Sequence, residues 1–152
     1  MGVQQKIGEI QQIATFHVAD GLFGVDALHV QEIMPYQKIT RVPLAPDYIR
    51  GLMNLRGEIV TVLDLRRRLG FEPLADETGA SNLVITSAYG EMSLLVDRIH
   101  NIVDVPREKL LPPPGTVKGI ARQYIRAVCQ LQDELLMVLD IISTAGYDEE
   151  DE

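Results

Sequence analysis

The chain carries one unit twice. Laying Tyr48-Ile49-Arg50 over Tyr124-Ile125-Arg126 and continuing without a gap to Gly70 and Gly146 gives 9 identities in 23 positions. Unrelated segments of ordinary composition share roughly 1 or 2. Leu55 falls on Leu131, Glu58 on Glu134, and Val62-Leu63-Asp64 on Val138-Leu139-Asp140, while Ile59 with Leu135 and Phe71 with Tyr147 are conservative pairs. Solenoid repeats recur at shorter offsets, so the pattern calls for two copies of one supersecondary unit. Within the unit, Leu52 to Leu55 and Ile59 to Leu63 are apolar runs of strand length. Arg56-Gly57 stands between them, and Gly57 tolerates the positive φ of a tight hairpin. Asp64 offers a carboxylate to the free amides of a following helical turn, which Gly70 is placed to end. The copies differ at the turn, where Arg56-Gly57 becomes Gln132-Asp133. A contact made by the first tip alone would leave this pattern, and so would drift of an exposed turn.

A length of 152 residues admits one domain or two small ones, and two half-size units sharing a buried interface satisfy both length and repeat. No uncharged apolar run approaches the roughly 18 residues of a membrane helix. Met1 to Lys6 has neither a signal-peptide core nor the Ser/Thr of a myristoylation motif, so a cytoplasmic location is expected. A single cysteine excludes an internal disulfide, and Cys129 in its apolar strand reads as a small core residue. The formal charge is −8, and five of the 22 acids are Asp148 to Glu152, read as a solvated, disordered end. An acidic chain suits nucleic acid poorly, because phosphate contacts need clustered Lys and Arg. The one basic run, Arg66-Arg67-Arg68, reads as the solvated face of the short helix.

Along the chain, residues 1 to 12 form an arm. Ile13 to Ala19 and Leu22 to Val25 are strands around an Asp20-Gly21 turn. The apolar positions between Asp26 and Met34 fit a helical turn or a bent strand, and Pro35 ends either. Lys38 to Val42 reads as a short strand, and Pro43 to Pro46 as an extended loop. Gly70 to Ala80 is a polar linker. Asn82 to Ser87 and Met92 to Val96 are strands around Tyr89-Gly90, and an apolar alternation continues from Ile99 to Val105. The prolines at 112, 113 and 114 force a loop before the second copy. Many short strands with Gly and Pro punctuation point to small barrels or a sandwich.

No catalytic, metal or cofactor motif is present. His17, His29 and His100 are dispersed, with one Cys to help them, and there is neither a nucleophile elbow nor a phosphate loop. The residues describe a binding module.

The assembled segments resemble the CheW family, the coupling proteins of bacterial chemosensory arrays. The matching segments are Phe23-Gly24-Val25-Asp26, Val30-Gln31-Glu32-Ile33, Thr40 to Pro46 and above all Arg50 to Arg66, with Leu95-Val96-Asp97 and Pro112-Pro113-Pro114 weaker. The resemblance covers about residues 13 to 146. It implies a mainly β protein of two packed, five-stranded SH3-like subdomains, with halves near 13–70 and 80–146 intertwined at their ends. It implies no enzyme activity and no cofactor. It also implies two partners, the cytoplasmic tip of methyl-accepting receptors and the regulatory domain of the histidine kinase CheA, with recruitment to membrane-associated receptor arrays. Carried over by motif, Arg56 and Glu32 form an exposed ion pair near the receptor-facing surface. Val30, Gly51, Gly57, Ile99 and Ile102 occupy positions the family associates with receptor contact, with core packing as the rival role for the apolar ones. Gln37, Lys38 and Ile39 are the expected kinase contacts. The pathway served, whether flagellar, pilus or biofilm, is left open, and a ligand- or nucleic-acid-binding β-barrel is the alternative. Against the second of these stands the 5% aromatic content, which leaves few stacking platforms. The resemblance also implies an apolar groove between the two halves that suits the amphipathic helix of a receptor tip, and Arg98, Ala127 and Gln130, which depart from the family pattern, lie on or near it.

Overall fold

Leu83 to Ile85 and Leu94 to Val96 are continuous apolar runs and not alternating ones, and runs of that kind require burial on both faces of a sheet. The computed structural model, which describes residues 9–88, 90–117 and 119–146, supplies it. Ten strands form two five-stranded sheets. In chain order they are β1 (Ile10–Val18), β2 (Gly21–Asp26), β3 (Val30–Pro35), β4 (Ile49–Leu55), β5 (Glu58–Asp64), β6 (Ser81–Ser87), β7 (Gly90–Val96), β8 (Arg98–Pro106), β9 (Ile125–Gln130) and β10 (Leu135–Leu139). Two short helices, α1 (Leu65–Arg68) and α2 (Ile141–Ala145), follow β5 and β10. The expected strand starting at Ile13 begins at Ile10, so the arm 1–12 is shortened, and its residues 1–8 and the acidic end lie outside the described residues.

The sheet orders are β8-β1-β2-β10-β9 and β3-β6-β7-β5-β4. Shifting strand numbers by five converts one order into the other. The chain is therefore a duplication, β1–β5 then β6–β10, in which the first hairpins are exchanged. β1–β2 pairs with the last three strands of the second copy, and β6–β7 with the last three of the first. Each sheet is built from strands of both expected halves, 13–70 and 80–146. Parallel contacts at the exchange, Leu63 beside Leu94 and Met137 beside Phe23, hold each borrowed hairpin.

Three apolar clusters follow from this layout. One lies between the sheets and takes Phe16, Val18, Phe23 and Val25 from the first with Leu63, Ile85 and Leu94 from the second. The others lie on the far face of each sheet, around Val60, Val62 and Leu95 and around Ile13, Leu136 and Cys129. Cys129 is 3% exposed, in the core as its strand suggested.

Two local readings are corrected. Lys38 to Val42 is no strand but a strap with one bridge, in which Thr40 and Leu52 exchange N–H···O bonds of 2.8 Å each way. The prolines at 43 and 46 leave no room to extend the ladder. The segment from Asp26 to Met34 is both things considered for it, a 3-10 turn over Ala27–His29 and then β3.

Candidate functional site

The β4–β5 hairpin ends in a two-residue turn with both central residues at positive φ, Arg56 at 53° and Gly57 at 86°. That geometry matches the twist of the flanking strands. Asn54 Oδ1 accepts the Gly57 N–H at 2.9 Å and closes the turn. Arg56, its side chain 73% exposed, reaches Glu32 on β3 and forms the expected ion pair. β3 and β4 are opposite edges of their sheet, so the pair marks a sheet curled until its edges nearly meet. A pair this exposed is worth about 0–1 kcal/mol.

The remaining expected receptor residues divide by burial. Gly57 is exposed at the tip and Ile102 is 60% exposed on β8. Val30 and Ile99 are half-buried against the inter-sheet cluster, so each has a packing role beside any surface role. Gly51 is buried. A Cβ there would overlap the Thr40 carbonyl oxygen and lie 2.7 Å from Ile39 Cγ2, and its φ is 151°. It is a glycine because the strap crosses it. Of the expected kinase residues, Lys38 is exposed, Gln37 donates to Pro35 O at 3.2 Å, and Ile39 packs on the far-face cluster of its own sheet. Two surface cavities, one beside Arg50 and Asp64 and one beside Arg126 and Asp140, are not lined by these residues.

The arginine run holds what sequence reasoning missed. Only Arg67 behaves as a solvated residue, with a loose 3.8 Å pair to Asp47. Arg66 makes a bidentate pair with Asp97 at 2.8 and 2.6 Å, and Asp97 also accepts the Ala19 N–H at 2.9 Å. One carboxylate thus ties α1 to the exchanged β1–β2 hairpin. Arg68 is 2% exposed. Its guanidinium lies 4.0 Å from the Tyr48 ring and 4.7 Å from the Tyr124 ring, the first residues of the two aligned segments. It donates to the carbonyls of Ser143, Thr144 and Gly146 at the end of α2. A further cluster joins the linker to the sheet. Glu77 accepts from Arg50 Nε at 2.6 Å and Nη2 at 2.5 Å, and from the Tyr36 hydroxyl at 3.1 Å. The duplicated Tyr-Ile-Arg was the available signal for Tyr48, Tyr124 and Arg50; nothing local distinguished Arg68 from Arg67.

Asp64 caps α1 by accepting the Arg67 N–H at 3.3 Å, and Asp140 caps α2 in the same way through Ile142 at 2.9 Å. Burial raises the Asp64 carboxyl above its ordinary range, against the pull of the helix amides. A raised folded value means that the native state holds its proton longer than the unfolded chain does. The Asp64 contribution therefore favours folding at acid pH and is lost as pH rises through the raised value. An asparagine at this position caps equally well without the buried charge. Urea unfolding across pH should show Asp64→Asn gaining on the natural protein as pH climbs through and above the carboxylate range; a constant difference would contradict this.

Two fused five-stranded sheets with exchanged hairpins and an ion-paired hairpin tip define a double β scaffold. The CheW-like domain family model matches residues 12–146. The chain is 31% identical over 134 residues to the chemotaxis protein CheW of Treponema pallidum, covering 86% of this chain and 79% of that one. Against CheW of Klebsiella aerogenes the identity is 28% over 131 residues, with the same coverage. The crystal structure of the scaffolding protein TtCheW from Thermoanaerobacter tengcongensis superimposes with a TM-score of 0.81 at 25% identity, covering 91% of this chain and 89% of that one. The chain belongs to the CheW family, the non-catalytic chemotaxis adaptors that couple chemoreceptors to the histidine kinase CheA. Among the described residues no helix is long and apolar enough to cross a membrane.

Proposed function

We propose that this adaptor meets the receptor tip through the face formed by the Arg56–Glu32 pair, Gly57, Val30, Ile99 and Ile102, and the kinase regulatory domain through the strap at Gln37, Lys38 and Ile39. Holding both partners on one rigid body raises their effective concentration and recruits the protein to membrane-associated arrays without any chemistry. The observation that carries this reading is the ion pair itself. It joins two sheet edges yet contributes little to stability, so its worth lies in presenting a fixed charge pattern. Gly51 acts indirectly, by letting the strap lie flat on β4. Each contact is expected near micromolar, about −8 kcal/mol, as reversible assembly requires.

Arg56→Glu places a second negative charge against Glu32 and reverses the tip. Its melting temperature should stay within a few degrees of the natural protein, because exposed pairs are weak. Its affinity for a receptor signalling hairpin should fall about tenfold or more, the loss of roughly 1.4 kcal/mol, and receptor-dependent kinase control should fall with it. Unchanged receptor affinity would remove this face from the reading, and global unfolding would make Arg56 structural.

A further inference from the structure

Leu44 breaks a rule of local backbone geometry that nothing in the fold explains. Among the described residues three non-glycine residues take positive φ, Ala19, Leu44 and Arg56. Ala19 and Arg56 stand in the two-residue turns of the β1–β2 and β4–β5 hairpins, where strand twist favours it. Leu44, at φ 66°, belongs to no hairpin. It is the third residue of a tight turn in which the Ala45 N–H donates to the Val42 carbonyl at 3.4 Å. Pro43 before it presets the turn, and the position Leu44 fills is one that calls for glycine. The loop after the second copy's strap does take its positive φ at a glycine, Gly119 at 84°. A bulky side chain in this region is strained. Packing does not compensate, because Leu44 is fully exposed and Val42 is 38% exposed.

The charges beside the loop are also under-used. Arg41 is exposed and has no hydrogen bond or ion pair among the described residues, and the Arg67 guanidinium has only its 3.8 Å pair with Asp47. Both line the cavity of about 650 Å³ that Leu44 borders. Of the acids in that cavity, Glu77 and Asp97 are held by Arg50 and Arg66, and Asp64 caps α1. Asp47 alone is left to face the two arginines. We propose that Leu44 is a preset apolar anchor for the CheA regulatory domain, entering an apolar pocket there whose rim carries an acid for Arg41. The anchor rests on the kinase reading of Gln37, Lys38 and Ile39 above. Leu44 lies five residues past Ile39, and the bridge between Thr40 and Leu52 fixes where its loop departs. The receptor face uses β3, β8 and the β4–β5 tip, none of which carries this loop. A loop already held by Pro43, Pro46 and a turn bond presents the leucine with no ordering left to do on binding. The free protein is correspondingly less stable.

Two substitutions in the full chain separate the side chain from the backbone. Leu44→Ala removes the anchor and keeps the strained φ, whereas Leu44→Gly removes both. Titrated with full-length CheA, both should bind about tenfold more weakly, and both should keep the natural affinity for a receptor signalling hairpin. The melting temperature should hold within about 2 °C for Leu44→Ala and rise by about 3 °C for Leu44→Gly, because glycine accepts the left-handed backbone. Arg41→Glu should weaken CheA binding about threefold at low salt and less at high salt. Lys38→Glu tests the kinase reading on its own. If it weakens CheA binding and Leu44→Ala does not, the strap contact stands and the anchor falls. If neither variant changes CheA binding, the kinase reading falls and the anchor with it. A loss of receptor affinity in place of CheA affinity would assign Leu44 to the other partner. A lower melting temperature for Leu44→Gly than for Leu44→Ala would make the leucine structural. Either result overturns the proposal.

Discussion

Arg68→Ala is expected to lower the unfolding free energy by about 4 kcal/mol, the largest effect of any single substitution considered for this protein. Three carbonyls at the end of α2 would lose a charged donor, and an unsatisfied buried acceptor costs about 1–3 kcal/mol. Two tyrosine faces would lose a desolvated cation, a contact worth about 2 kcal/mol when desolvated. The vacated volume adds a cavity term. These contributions overlap, so they do not sum. For a domain of this size the loss amounts to a fall in melting temperature of roughly 10–15 °C. Arg68→Lys keeps the charge but not the planar fork, and should recover less than half of the loss. Thermal and urea unfolding of both variants decide the matter; a loss below about 1 kcal/mol for alanine would show that the two copies are joined by their apolar cluster alone.

Gly51→Ala should cost about 3 kcal/mol although it adds a single methyl. The backbone there sits at φ 151°, a region costly for any L side chain by about 1–3 kcal/mol. The new Cβ would also collide with the Thr40 carbonyl. Relief comes only by lifting the strap, which breaks the two 2.8 Å bonds between Thr40 and Leu52. The second copy provides an internal control. Ala127 aligns with Gly51, and Leu111 and Val128 exchange the same pair of 2.8 Å bonds, yet Ala127 does not have positive φ. Ala127→Gly should therefore cost only the backbone entropy of a strand glycine, about 0.5–1 kcal/mol. Equal stability of Gly51→Ala and the natural protein would show that the strap is free to move. The family departure at Ala127 is thus a matter of how a strap crosses an edge strand.

Much of the fold was legible because hydrophobic pattern and turn chemistry are local. The hairpin Leu52 to Leu63, the cap at Asp64 and the buried Cys129 all follow from residues close in sequence, and the ion pair of Arg56 with Glu32 from the family motif. The repeat announced two equivalent units. Charged side chains were less legible. Arg66, Arg67 and Arg68 look alike in the sequence, yet one bridges to the other sheet's hairpin through Asp97, one faces solvent and one is buried between the copies. Their fates depend on what packs opposite, on residues far away along the chain.

The amino-acid order by itself determined that there are two copies and where their hairpins turn. Tertiary structure alone decided that the copies exchange their first hairpins, that Gly51 must lack a side chain, and that one arginine of three becomes the pin between them. The reason is that strand formation depends on neighbours, whereas strand partnership and charge burial depend on which distant surfaces meet.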